Sequence, residues 1–146
     1  MVDGETVVTV NDSGDRGRVF VVDRRSGRTV GVTTWPRRPV DVEALAPAGP
    51  GAVWVADIGD NRATRSSVTV FRVPVGRGAR AVAPAYVALR YPHGPVDAET
   101  LLADPRSAAA PGHPRSSQAG MCTPCRAALA RLVRGCWTRS GGWRHS

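Results

Sequence analysis

The sequence predicts an all-β fold: about two blades of an incomplete β-propeller over residues 1–106, followed by a largely disordered basic tail over residues 107–146. Three observations support this prediction. Short runs rich in Val and Thr alternate with turn clusters of Gly, Pro, Asn, Asp and Ser. The first 106 residues lack apolar positions at helical spacing. Two short motifs recur in the same order along the chain, which is typical of repeat folds.

The two motifs recur at a spacing close to one propeller blade. Val8–Asp15 (VTVNDSGD) returns 45 residues later as Val53–Asp60 (VWVADIGD). Pro39–Leu45 (PVDVEAL) returns 56 residues later as Pro95–Leu101 (PVDAETL). Blades of four strands repeat at about 40–50 residues, so each copy marks the same place in successive sheets.

The predicted strands follow the chain in two cycles of four. Thr6–Val10 ends at an Asn-Asp-Ser-Gly turn cluster, and Ser26-Gly27 supplies a tight hairpin after the next strand. Turn signals between all the runs favour antiparallel meanders. The predicted strands are Thr6–Val10, Arg18–Asp23, Arg28–Thr34 and Val40–Ala46, then Ala52–Ala56, Ser67–Val73, Tyr86–Arg90 and Val96–Ala103.

Nine polar side chains at these motifs are candidate metal ligands. Two interpretations of them remain open. Asp beside Gly in a turn accepts hydrogen bonds from turn N–H groups and so closes a loop. Alternatively, the carboxylates collect at the rim of a channel, where many hard oxygen ligands suit Ca²⁺. The Asp-x-Glu pairs favour the second interpretation, since alternate strand residues face the same side. The candidates are Asp12, Asp15, Asp41, Glu43, Asp57, Asp60, Asn61, Asp97 and Glu99.

Three of these runs carry a family resemblance. The runs Asn11–Asp15 (NDSGD), Ala56–Ala63 (ADIGDNRA) and Tyr91–Glu99 (YPHGPVDAE) resemble an actinobacterial β-propeller family, described as WD40-like propellers or as "esterase-like activity of phytase" proteins. The resemblance covers residues 5–106. It implies a ring of about six or seven blades, often exported, with an acidic channel that can hold Ca²⁺.

Three functions are therefore considered. The first is a fragment of a propeller protein with an acidic, Ca²⁺-binding rim and no catalytic activity of its own. The second, in the intact parent, is a Ca²⁺-dependent phytase-like hydrolase of phosphoesters or esters, in which the cation binds phosphate and activates water. The third is a non-functional truncated product, because two blades leave strand edges exposed. No Ser/His/Asp arrangement or Gly-rich phosphate loop occurs, so no catalytic residue is predicted.

The charge and the cysteines divide the chain near residue 106. All 20 basic residues are Arg; 14 of them and all 12 acidic residues precede residue 107. Residues 107–146 contain six Arg, all three Cys and no carboxylate. A strand is due near residue 109 but none is encoded, and we hypothesise a frame-shifted tail. The pair Cys122 and Cys125 lacks further ligands at zinc spacing and is interpreted as incidental.

The predicted partners follow from the same features. No run of 18 apolar residues is present, so no membrane span is expected. The Arg-rich tail has few aromatic residues, and no nucleic-acid binding is predicted. Met1–Glu5 lacks the basic and apolar regions of a signal peptide, whereas the intact parent is expected to be exported. The remaining blades are expected in the same chain, with an unidentified ligand at the propeller mouth.

Overall fold

The computed structural model of the protein describes residues 2–12 and 14–103. These residues form strands and turns without a helix, which confirms the all-β prediction, and none of them forms a helix that could cross a membrane. The predicted tail, with its cysteine pair and the frame-shift hypothesis, lies outside the described residues. The strands are β1 (Val2–Asp3), β2 (Thr6–Val10), β3 (Arg18–Asp23), β4 (Thr29–Thr34), β5 (Val42–Pro47), β6 (Ala52–Asp57), β7 (Val68–Pro74), β8 (Gly78–Ala81) and β9 (Ala85–Leu89).

The strands form two sheets with a common plan. The first sheet has the order β1-β2-β3-β4-β8, and the second has the order β5-β6-β7-β9. Within each sheet the first four strands pair antiparallel, whereas β8 pairs parallel with β4. The two copies of the first motif occupy the second strand of each sheet and the turn that follows it. The sequence repeat is therefore a repeat of sheets.

Most predicted strands agree with the structure to within one or two residues, but two assignments were wrong. Val40–Ala46 was placed at the end of the first cycle, whereas β5 begins the second sheet by pairing with β6. Val96–Ala103 is not a strand, because no described strand lies beside it to complete a hydrogen-bonded ladder. The strands β1 and β8 were missed, since two residues and the sequence Gly-Ala-Arg-Ala carry no strand signal.

A buried aliphatic and aromatic cluster joins the two sheets. Val19 of β3 and Val53 of β6 are fully buried within it. Phe71 of β7 is 1% exposed and lies between two rings, with centroid distances of 5.6 Å to Trp35 and 6.0 Å to Tyr86. Because Trp35 follows β4 and Phe71 belongs to β7, the aromatic contacts tie one sheet to the other.

The second sheet is buried on its other face as well. Trp54, Ala56 and Val70 belong to a second apolar cluster, against which residues 91–103 pack. All six residues of β6 are buried as a result. This explains why Ala52–Asp57 reads as a continuous apolar run and not as an alternating strand.

The parallel strand β8 is a link between the sheets. The Thr33 hydroxyl donates to the Pro74 carbonyl at 2.8 Å, and the Val82 N–H donates to the Thr34 carbonyl at 2.9 Å. At Gly31 a side-chain carbon would overlap the Gly76 carbonyl, so the close approach requires glycine. The segment after β7 thereby closes over the edge of the first sheet before the chain returns to β9.

Candidate metal centre

Three carboxylates from two different sheets meet at one end of the molecule. Asp12 follows β2, Asp41 precedes β5, and Glu43 lies within β5. Each offers one oxygen, and these oxygens all lie within 4.8 Å of one another. Asp41 is buried, Glu43 is half-buried and Asp12 is exposed. The cluster is a group that could hold a metal ion, with Asp12 at its solvent side.

The second copy of the Asp-x-Gly-Asp motif positions Asp41. Asp57 Oδ1 accepts hydrogen bonds from the N–H groups of Val40 at 3.1 Å and Asp41 at 2.8 Å. The Gly59 N–H donates to the Asp41 carbonyl at 3.2 Å. The backbone that leads into β5 is therefore held from the side of β6.

Gly59 makes room for the two inner carboxylates. A Cβ atom at this position would lie 2.5 Å from Asp41 Oδ2 and 2.7 Å from Glu43 Oε1. The sequence analysis predicted that the motif glycine allows a positive φ. That holds for Gly14, whose φ is 83°, but Gly59 is not among the residues with positive φ. In the second copy Ala63, with φ 50°, takes the left-handed conformation, and Gly59 is needed for space.

Asn61 lies beside the cluster. Its Nδ2 donates to Asp41 Oδ2 at 3.0 Å. The same side chain carries an amide oxygen, which is a ligand type that calcium accepts. Asn61 is therefore a neutral neighbour of the three carboxylates.

The electrostatics of the cluster favour a cation. Burial raises the pKa of Glu43 above its usual value, and the negative charges of Asp41, Asp12 and Glu99 raise the pKa of Glu43 further. Like charges at short range disfavour the ionised form, and a bound cation would remove that penalty. Glu99 is thus close enough to act on Glu43 electrostatically.

Asp57 and Asp60 have a different environment from this cluster. Asp57 is 3% exposed and forms an ion pair with Arg65, with Nη1 and Oδ1 3.0 Å apart. Asp60 accepts from the N–H groups of Thr64 at 3.0 Å and Arg65 at 2.8 Å. Burial alone would raise the pKa of Asp60, but these donors and the Arg65 charge lower the pKa below its usual value. Both side chains match the loop-closing interpretation.

Asp15 closes the equivalent turn in the first sheet. It accepts from Arg18 Nε at 2.6 Å, from the Arg16 N–H at 2.7 Å and from Asn11 Nδ2 at 2.8 Å. The Arg18 side chain is the main cause that lowers the pKa of Asp15. Asp15 therefore serves its own turn.

The third Asp-x-Glu pair lies over the second sheet. Asp97 Oδ1 accepts from the Asp60 N–H at 2.7 Å, and both Asp97 and Glu99 are exposed. Of the nine predicted residues, the structure brings Asp12, Asp41 and Glu43 together and places Asn61 and Glu99 near them. The sequence analysis missed Arg65, because its separation from Asp60 differs from that between Asp15 and Arg18.

The fold and this centre define an all-β protein of two packed sheets with a carboxylate cluster at one end. Comparison of the chain with protein-family models, with curated proteins and with solved structures finds no match. The resemblance to a propeller family therefore stays a prediction.

Proposed function

We propose that the protein is a segment of a β-propeller whose acidic rim binds Ca²⁺ through Asp12, Asp41 and Glu43, without catalytic activity of its own. One observation carries this proposal: three carboxylates from separate strands have oxygens within 4.8 Å of one another. Carboxylates that serve only as solvated surface groups have no reason to converge, because their mutual repulsion opposes it.

The ligand chemistry favours calcium over other common cations. Carboxylate and amide oxygens are hard ligands, whereas zinc and copper sites in proteins are rich in imidazole and thiolate. Magnesium requires near-ideal octahedral geometry and retains several waters. Calcium accepts irregular arrangements of about six to eight oxygens, including water. The exposed position of Asp12 leaves solvent access for such waters.

The repeated packing supports the propeller part of the proposal. Val42 and Leu45 pack in the cluster shared with the first sheet. Their counterparts 56 residues later, Ala98 and Leu101, pack against the outer face of the second sheet. Successive sheets stacked face to face, with the same motif at the same end, are the arrangement of neighbouring propeller blades.

Hydrolysis of phosphoesters remains an alternative prediction. A bound cation could position a phosphate and activate water, but hydrolysis also needs a group that moves protons. No observation on the described residues favours that step over simple binding. His93, the only histidine among them, is an exposed turn residue.

Calcium titration of the full chain, by isothermal calorimetry, tests the proposal. We expect Asp41→Asn to weaken binding at least about tenfold, because the affinity of oxygen sites depends on ligand charge. The matched control is Glu5→Gln, which removes an exposed carboxylate just before β2, at the other end of that strand from Asp12. Equal calcium affinity in wild type and Asp41→Asn, or no binding by the wild type, would contradict the proposal.

Glu43→Gln is expected to reverse its effect on stability when calcium is added. The pKa of Glu43 in the folded chain lies above its value in the unfolded chain, so the folded state holds the proton more tightly. The free energy of unfolding therefore falls as the pH rises through that raised pKa. In chelator at neutral pH, Glu43→Gln should thus melt at a higher temperature than the wild type. In saturating calcium the wild type should melt higher, because only it gains full binding free energy.

Thermal melts in chelator and in calcium, at neutral pH, measure both parts of this prediction. Glu5→Gln again serves as the control and should follow the wild type in both buffers. A variant Glu43→Gln that melts below the wild type in chelator would show that the charge repulsion is absent.

A further inference from the structure

Residues 95–103 sit on the second sheet as β5 sits on the first. Ala98 and Leu101 pack on the cluster around Trp54. Their counterparts, Val42 and Leu45, pack in the cluster shared with the first sheet. The segment thus occupies the place of the first strand of a further sheet.

The segment differs from β5 in one respect. β5 is paired along its length with β6, whereas residues 95–103 have no strand partner among the described residues. The exposed fractions reflect this difference. Leu102 is 76% exposed, although Ala46, its counterpart 56 residues earlier, is 3% exposed. Exposure of a large apolar side chain at a strand position indicates a face that a partner can cover.

The type of strand that pairs with β5 occurs a second time in the chain. β6 and β2 carry the two copies of the same motif. β1 pairs with β2 only at Thr6 and Val7. No strand of the described residues pairs with Thr9 or Val10 on that side. An incompletely covered edge of this kind is a template for another strand.

We propose that residues 95–103 of one copy of this chain pair antiparallel with β2 of a second copy. The register follows from the pairing of β5 with β6, in which Leu45 lies opposite Val55 and Ala46 opposite Trp54. Shifting these pairs by 56 and 45 residues places Leu101 of one copy opposite Val10 of the other, and Leu102 opposite Thr9.

The contact joins different surfaces of the two copies. Such head-to-tail contacts close into rings when the rotation between copies allows it, and otherwise form open chains. The inference rests on the repeat of the sheets and not on calcium binding. A protein that binds calcium but stays monomeric, or the reverse, would therefore separate this inference from the proposed function.

Thiol cross-linking of the full chain tests the register. All proteins carry Cys122→Ser, Cys125→Ser and Cys136→Ser. One copy carries Thr9→Cys and a second, distinguished by a mass tag, carries Leu102→Cys. A short bifunctional thiol reagent should join the mixed copies at least tenfold more than it joins Leu102→Cys with Ser26→Cys. Ser26 is an exposed residue of the hairpin between β3 and β4 and serves as the control. Equal cross-linking in the two mixtures would overturn the proposal.

Sedimentation velocity supplies a second measurement that does not depend on cysteines. The wild type should self-associate as its concentration rises, and Leu102→Asn should weaken self-association at least tenfold. Val40→Asn, at another exposed apolar residue, should leave it unchanged. A wild type that is monomeric at every concentration would overturn the proposal. If Leu102→Cys in that monomer also reacts slowly with a maleimide, the chain covers this face with its own residues.

Discussion

Asp57→Ala is expected to lower the free energy of unfolding by about 3–5 kcal/mol, because it removes one partner of a buried ion pair. Asp57 is 3% exposed, and its Oδ1 accepts two backbone N–H groups in addition to the Arg65 guanidinium. Alanine would leave all three donors without this acceptor. Since two of these donors begin β5, the damage should extend to the alignment of Asp41.

Urea denaturation measures this loss, and two variants complete the test. Asp57→Asn keeps an acceptor oxygen for the backbone and should lose less than alanine. Asp12→Ala removes the counterpart in the first motif, which is exposed, and should change the free energy by no more than about 0.5 kcal/mol. Equal losses at Asp12 and Asp57 would refute the different roles assigned to the two copies.

Phe71→Ala is expected to cost about 3–5 kcal/mol, the range for deletion of a large buried aromatic side chain. Phe71 is 1% exposed and contacts both Trp35 and Tyr86. The cavity would lie at the junction of the two sheets, where Trp35 could not move in without leaving its own contacts. The loss should therefore be near the upper end of the range.

Urea denaturation followed by tryptophan fluorescence records the unfolding, because Trp35 reports on this junction. Phe20→Ala is the matched control. Phe20 is half-buried on β3 and lies under the Arg18 guanidinium, 5.0 Å from its ring centroid. We expect a loss of about 1 kcal/mol there, in proportion to the smaller area buried. A Phe71→Ala variant as stable as Phe20→Ala would mean that the sheets are not joined through this cluster.

Local patterns in the sequence predicted the strands well because each strand ends at a turn that the chain encodes nearby. Thr6–Val10 and Arg18–Asp23 match the structure in full, and the Ser26-Gly27 hairpin forms with Gly27 at φ 67°. The grouping of strands into sheets was not predictable in the same way. Whether β5 joins the strands before or after it depends on long-range pairing, to which short motifs are blind.

The candidate site was predictable in part for the same reason. The repeated motifs identified all three carboxylates of the cluster, but they did not distinguish Asp12 from Asp57, which share a motif position. The difference arises from Arg65, which comes from a longer turn after the second copy and neutralises Asp57. It also arises from Gly59, whose missing side chain admits Asp41 and Glu43. Both effects require the folded chain.

A crystal structure of the full chain grown with calcium tests the central claim most directly. The account predicts a density peak bound by oxygens of Asp12, Asp41 and Glu43 at about 2.3–2.6 Å, the usual range for calcium. Soaking the same crystals in chelator should remove the peak. A well-ordered cluster without a peak in calcium, with Asn61 still donating to Asp41, would contradict the account.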